Sequence, residues 1–179
     1  MIGAILAGGA GRRMGGAKAV RTLAGRPLAS YAAAALAEVC DRVAIVAKPG
    51  TELPDLPAVE RWDDEPAEPR HPLTGIVHAL ERAQGEPVMV CAADMPFVTA
   101  RTARSLTASG TTSIAVAGGV LQPVLGVYTP DVLPRLRRAE PNAPLTRTVE
   151  ALEPVLVPVP PAEVRSINTP EDLADAEAP

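Results

Sequence analysis

Basic residues lie among glycines near the start of the chain. Residues 2–6 form a short apolar run typical of a buried strand, and the loop that follows holds five glycines together with Arg13 and Lys18. The backbone N–H groups of such a loop bind phosphate oxygens, and basic side chains neutralise the remaining negative charge. Gly8 and Gly9 have no Cβ, so a flat ligand can contact their backbone. This combination predicts a site for a nucleoside triphosphate.

Two common phosphate loops fit the sequence less well. The ATPase loop requires Gly-Lys followed by Ser or Thr, whereas Lys18 lies between Ala17 and Ala19. The dinucleotide fingerprint requires its last glycine one residue earlier than Gly15. A glycine-rich surface turn is the remaining alternative, and the presence of Arg13 and Lys18 in the same loop counts against it.

An acidic residue follows a second apolar run. Asp94 comes directly after residues 88–93, which are predicted to end a buried strand. Mg²⁺ binds one or two carboxylates together with phosphate oxygens and water. Asp94 opposite a triphosphate loop therefore predicts a Mg²⁺ site. The alternative is an Asp that caps the turn before Pro96.

The elements that must position these groups alternate along the chain. Strands are predicted at 2–6, 42–47, 86–92, 112–117 and 120–128. Helices are predicted at 27–40, 73–84, 99–108, 130–138, 144–152 and 170–177. This alternation predicts an α/β fold with a mostly parallel sheet, in which ligands bind at the carboxyl ends of strands. The proline-rich stretch 48–72 is interpreted as an ordered loop, and 158–161 as a stiff connector.

Composition narrows the function further. The chain has 179 residues, 47% of them hydrophobic but only 2% aromatic, which predicts one domain over 1–179 with a core of Ala, Val, Leu and Ile. A net charge of −4 without a basic run argues against nucleic acid as a partner. No signal peptide or membrane span is recognised, and Cys40 and Cys91 lie in apolar contexts. These features predict a cytoplasmic protein with buried thiols and no zinc site.

The loop resembles a signature of enzymes that make activated sugars and cofactors. Leu6, Ala7, Gly8, Gly9, Arg13, Met14, Gly15 and Lys18 fill the pattern Leu-Ala-Gly-Gly-x-x-x-Arg-Met-Gly-x-x-Lys of nucleotidyltransferases. Within that superfamily the chain is most similar to molybdenum cofactor guanylyltransferases, since relatives that use cytidine tend to carry Ala at the first glycine of the pair. The loop is slightly shorter than in many members.

The resemblance implies a three-layer α/β/α, Rossmann-like domain of the nucleotidyltransferase type. It implies transfer of GMP from GTP to the molybdopterin form of the molybdenum cofactor, with release of pyrophosphate. Arg13, Lys18 and Asp94 would be catalytic, and Asp94 would bind Mg²⁺. The nucleotide would contact the following residues: Leu6, Ala7, Gly8, Gly9, Lys18, Asp64 and Asp94.

Asp64 is included among the nucleotide contacts because of its spacing from a later motif. It lies seven residues before His71-Pro-Leu-Thr-Gly, where the family has Gly-Pro-Leu-Ala-Gly, and Asp63 is the rival candidate. The alternative for residues 63–65 is a solvated acidic turn. Lys48 aligns with a nucleotide-contacting Asn of the family but differs in type, and it is left out of the site. His78 is interpreted as a helix surface residue.

The acceptor side is expected in the carboxyl-terminal half. Residues 121–128 resemble the family's proline-containing strand, so Gln122 and Pro123 would line the acceptor pocket; an ordinary edge strand is the alternative. Asn168 corresponds to one of two family asparagines and would contact the metal or acceptor. Thr169 is predicted to cap the last helix, with Asp172 as its partner.

Three other functions stay open at this stage. They are a cytidylyltransferase acting on the same cofactor, a sugar-phosphate nucleotidyltransferase, and a nucleotide-binding protein that delivers cofactor without turnover. Lys18 and Asp94 count against the last. Expected partners are GTP and the molybdopterin cofactor, with transient contact to a cofactor-supplying protein or a recipient molybdoenzyme, and neither nucleic acid nor membrane.

Overall fold

A computed structural model of the chain describes residues 1–8, 18–69, 71–140 and 143–178, with Lys18 described at its backbone only. A seven-stranded sheet forms the centre, in the order β5-β4-β1-β6-β8-β7-β9. Its strands are β1 (Ile2–Leu6), β4 (Arg42–Val46), β5 (Val59–Trp62), β6 (Val88–Ala92), β7 (Ser113–Ala117), β8 (Val120–Tyr128) and β9 (Val155–Pro158). Two short strands, β2 (Thr22–Leu23) and β3 (Arg26–Pro27), pair separately.

The sheet is parallel except at one strand. β1 lies between β4 and β6 in parallel register, and β4 also pairs with β5. β8 runs antiparallel to both β6 and β7, because Gly118 and Gly119 turn the chain directly back with φ of 56° and 80°. The sheet is therefore mixed but mostly parallel, which confirms the predicted fold class.

Helices cover both faces of this sheet. One face carries α1 (Leu28–Ala37) and α3 (Ala100–Thr107), and the other carries α2 (Pro72–Arg82), α4 (Leu133–Arg138) and α5 (Leu145–Glu150). Side chains alternate along each strand, so Ile5 packs in the first core while Ile2 and Ala4 pack in the second. The last helix, α6 (Pro170–Glu177), packs near β2 through a small third cluster.

Besides the short β2 and β3, two strands of the main sheet lie where none was predicted. β5 falls inside the proline-rich stretch, and β9 overlaps the start of the expected stiff connector. Both are edge strands in which most residues are exposed or half-buried. β5 has charged residues at its centre and no apolar run, and the apolar run of β9 is only three residues long, between Pro154 and Pro158. These two segments are strands because they pair with β4 and β7, not because of their local sequence. Within the described residues, no helix has both the length and the apolar character needed to cross a membrane.

Candidate active site

The carboxyl ends of the parallel strands meet at one edge of the sheet. Hydrogen bonding continues past the strand ends: the Ala7 N–H donates to the Val46 carbonyl at 2.8 Å, and the Ala93 N–H donates to the Leu6 carbonyl at 3.0 Å. These bonds place the residues directly after β1, β4 and β6 side by side. We call this region the carboxyl edge, and it is where an α/β sheet binds ligands.

The glycine loop begins at this edge. Leu6 is half-buried, Ala7 is buried and Gly8 is half-buried, directly beyond β1. Gly9 and Arg13 lie outside the described residues, as does the side chain of Lys18. The structure therefore places the first three residues predicted to bind nucleotide at the site.

Asp94 lies at the same edge, beyond β6. It is half-buried, and its backbone carbonyl accepts a hydrogen bond from the Ile167 N–H at 2.8 Å. That bond brings the segment before α6, including Asn168, next to the end of β6. The Asn168 N–H itself donates to Asp172 Oδ2 at 2.8 Å. Two residues predicted from distant parts of the sequence are thus brought together.

Gln122 and Pro123 lie at an irregularity of β8. Cys91 is in register with Leu125, so residues 122 and 123 extend past the carboxyl end of β6, toward Asp94. On the other side the register with β7 jumps between Ile114 and Ala115. β8 is an interior strand, so the alternative of an ordinary edge strand is wrong. Pro123 is accommodated because it lies in the bulge.

A buried tyrosine holds that bulge. The hydroxyl of Tyr128 donates to the Pro123 carbonyl at 2.6 Å, which supplies a partner to a carbonyl that the bulge removes from the ladder. Burial raises the pKa of the Tyr128 hydroxyl far above its usual value, so it stays a donor.

Asp64 faces helix α2. Its Oδ1 accepts from His78 Nε2 and its Oδ2 from Arg82 Nη1, both at 3.0 Å. Desolvation acts to raise the pKa of Asp64, but the hydrogen bond from His78 and the charges of His78 and Arg82 outweigh it and lower that pKa. His78 is buried, so its interpretation as a surface residue is wrong. A nucleoside contact by Asp64 stays a prediction.

The neighbouring carboxylate is buried instead. Glu65 is 3% exposed and Lys48 is 7% exposed, and Lys48 Nζ donates to Glu65 Oε1 at 2.9 Å and to the Pro66 carbonyl at 2.6 Å. The solvated acidic turn is therefore wrong for Glu65. Sequence reasoning left both residues out of the site. Two signals pointed to Lys48: its alignment with a nucleotide-contacting Asn of the family, and the scarcity of lysine, with only Lys18 and Lys48 in the chain.

His71 begins helix α2. Its Nδ1 accepts a hydrogen bond from the Leu73 N–H at 3.2 Å, so the ring caps the helix in its neutral form. Desolvation lowers the pKa of His71, which favours that form. The side chain that replaces the glycine of the family pattern thus has a local structural role.

The donor set at the carboxyl edge fits one kind of metal site. Among the described residues no three His, Cys, Asp or Glu side chains are grouped to enclose a metal ion. Mg²⁺ does not need such a cage, because it takes one or two carboxylates and completes its shell with phosphate oxygens and water. A half-buried Asp94 beside the start of the glycine loop is consistent with that requirement.

A mostly parallel sheet with a glycine-rich segment after β1 and a carboxylate after β6 is typical of α/β proteins that bind nucleotides. The model of the MobA-like NTP transferase domain family matches residues 3–155. The chain therefore belongs to this family.

Named relatives come from bacteria and an archaeon. A "Probable molybdenum cofactor guanylyltransferase" of Bacillus licheniformis is 37% identical over 69% of this chain and 66% of its own length. The molybdenum cofactor guanylyltransferase of Cereibacter sphaeroides is 38% identical over 72% of this chain and 68% of its own length. The crystal structure of molybdopterin-guanine dinucleotide biosynthesis protein A from Archaeoglobus fulgidus has a TM-score of 0.73 and 23% identity, and covers 99% of this chain and 97% of its own.

Proposed function

We propose that this protein transfers GMP from GTP to the molybdopterin form of the molybdenum cofactor and releases pyrophosphate. The observation that supports it most is the hydrogen bond from the Ala93 N–H to the Leu6 carbonyl, which brings the start of the glycine loop beside the strand end that bears Asp94. The names of the two curated relatives supply the base and the acceptor. Because the alignments span about two thirds of those relatives, base and acceptor are proposed for this chain.

The reaction joins two anions. A terminal phosphate oxygen of the acceptor attacks the α-phosphorus of GTP; a new P–O bond forms, the bond to the β-phosphate oxygen breaks, and pyrophosphate leaves with that electron pair. No protein nucleophile is needed, so the chain's task is to align the two phosphates and neutralise charge. Arg13 and Lys18 would stabilise the triphosphate and the departing pyrophosphate.

Asp94 would hold Mg²⁺. When bound, the ion supplies charge that stabilises phosphate oxygens in the transition state. Gly8 and Gly9 would let the guanine edge approach backbone groups, with Leu6 and Ala7 beside them.

The acceptor would lie on the β8 side of the carboxyl edge. Gln122 and Pro123 extend past the end of β6, and the Ile167 N–H fixes the neighbouring Asn168 segment against Asp94. The nucleotide would then lie on the β1 side of Asp94, and the acceptor on its β8 side. Transient contact with a protein that supplies or receives the cofactor is part of the proposal.

Base choice gives the first test. With Mg²⁺ present, GTP should raise the melting temperature more than CTP or ATP at equal concentration, because a ligand stabilises the native state that binds it. A larger shift with CTP would replace the proposal with cytidylyl transfer. Pyrophosphate release with GTP and molybdopterin cofactor, compared with a panel of sugar phosphates, then tests the acceptor; release with a sugar phosphate alone would contradict it.

A further inference from the structure

A buried ion pair lies at the carboxyl edge, under the start of the glycine loop. The backbone holds its two members in place: the Ala47 N–H donates to the Trp62 carbonyl at 2.9 Å, and the Glu65 N–H donates to the Ala47 carbonyl at 3.1 Å. Lys48 and Glu65 then meet at 2.9 Å with both side chains almost fully buried. Neither position belongs to the site predicted from the sequence.

The carboxylate of this pair separates two glycines from different loops. A Cβ placed on Gly8 would lie 2.6 Å from Glu65 Oε2, closer than real contacts allow. A Cβ placed on Gly75, in the first turns of α2, would lie 3.6 Å from the same oxygen and 3.2 Å from Leu6 Cδ2. Glu65 Oε2 therefore fills the space between Gly8 and the amino-terminal part of α2.

A buried ion pair is a poor device for stability alone. The cost of removing two charges from water is large, and apolar side chains of similar volume often stabilise a protein equally well or better. The pair does combine two properties that an apolar pair lacks. It gives the oxygen beside Gly8 a defined position, and its zero net charge adds no repulsion to a bound triphosphate.

We propose that Lys48 and Glu65 are positioning residues for the nucleotide: the Glu65 carboxylate fixes the backbone of Gly8 at a set distance from α2, and Lys48 neutralises it. The pair thereby sets the width of the cleft that receives the nucleoside. This inference rests on the proposed function only in that a nucleoside triphosphate binds beside Gly8, not in which base is used.

The test compares single and double variants. Glu65→Gln and Lys48→Met each leave one buried charge unpaired, so both should lower the melting temperature and weaken triphosphate binding. The double variant Lys48→Met/Glu65→Leu removes both charges and should recover most of the melting temperature. Its dissociation constant for the triphosphate should stay about 10- to 100-fold above wild type, by analogy with the effect of removing groups that orient metal ligands.

Arg137 and Glu81 provide the matched control. They form an ion pair of 2.8 Å between α4 and α2 with both side chains about half exposed, away from the carboxyl edge. Arg137→Met/Glu81→Leu should change neither the melting temperature nor triphosphate binding by much, since exposed pairs contribute little.

Binding is measured by isothermal titration with whichever triphosphate stabilises the wild-type protein most. If that triphosphate is CTP, the proposed GMP transfer fails while the positioning role is still tested. Recovery of both melting temperature and affinity in the double variant would overturn the positioning role. Any side chains that fill the space beside Gly8 would then support triphosphate binding. Folded single variants with wild-type affinity would overturn it as well.

Discussion

The loops after β5 and β6 both bring a carboxylate to the carboxyl edge, and they expose it differently. Glu65 is almost fully buried and lies 2.9 Å from the ammonium of Lys48. Asp94 is half-buried at the end of β6, where the segment before α6 crosses it. A neutralised, buried carboxylate can shape a cleft, whereas one that reaches the surface can also bind a cation. Position at a strand end therefore does not by itself assign a role.

Asp64 and Glu65 show the same contrast between adjacent residues. Successive side chains of an extended segment point to opposite sides, so Asp64 reaches α2 while Glu65 reaches Gly8. The Asp64 side chain is more than half exposed, although its partner His78 is buried, whereas both members of the Glu65 pair are enclosed. Four predictions test how far these differences extend.

The largest effect is expected at Asp94. Asp94→Ala should lower Mg²⁺-dependent turnover by about 100-fold or more, the scale of losing a main electrostatic stabiliser, while the fold is kept. Steady-state pyrophosphate release measures the turnover, and circular dichroism shows whether the fold is kept. Asp175→Ala, at an exposed position on α6, serves as the control. A near-normal rate for Asp94→Ala would remove Asp94 from the metal site.

The second largest effect on activity is expected at Lys18. If its flexible ammonium neutralises charge mainly in the transition state, Lys18→Ala should lower kcat by about tenfold or more and weaken GTP binding less. A raised KM with unchanged kcat would instead indicate a ground-state contact. If a folded variant keeps both constants, the glycine loop is not the triphosphate site.

Asp64 should matter less than Glu65. Asp64→Asn weakens the contacts with Arg82 and with the buried His78. Because an exposed pair such as Asp64–Arg82 contributes about 0.2–1 kcal/mol, the free energy of unfolding should fall by at least that much. Because both carboxylate oxygens face α2, KM for GTP should change less than in Glu65→Gln. Urea unfolding measures the free energy of unfolding, and steady-state kinetics measure KM for GTP. A tenfold rise in KM without loss of stability would support the nucleoside contact predicted from the sequence.

The smallest effect is expected at the cap of α6. Thr169 and Asp172 form a reciprocal capping box, and Thr169→Ala should destabilise the protein by about 1 kcal/mol.

Hydrogen bonds from the Asn168 and Thr169 N–H groups lower the pKa of Asp172, with desolvation opposing them. A lowered native pKa means that the stabilisation is present above the unfolded pKa of about 4 and is lost as pH falls through the native value.

Thermal unfolding of the wild type and Asp172→Asn between pH 6 and pH 3 measures this dependence. The variant should be less stable at pH 6, and the difference should shrink toward pH 3. A difference that grows as the pH falls would contradict the assigned direction of the Asp172 pKa.

Local patterns in the sequence were enough to predict much of the scaffold. The apolar run of β1, the buried run that ends at Asp94 and the Thr-Pro start of α6 each express a preference of adjacent residues, and all three elements form as predicted. The α/β class followed from their alternation. The glycine pattern likewise indicated the nucleotidyltransferase family that the comparisons confirmed.

Only the tertiary structure decided which side chains share the site. Lys48 and Glu65 are 17 residues apart, and nothing in their immediate neighbours marks them as partners; parallel pairing of β4 with β5 brings their loops together. Residues Val59–Trp62 have no apolar pattern of their own, and they form an edge strand only because they pair with β4. Burial and ion pairing depend on groups that are distant along the chain, so the roles of Asp64 and Glu65 separate only once the sheet has formed.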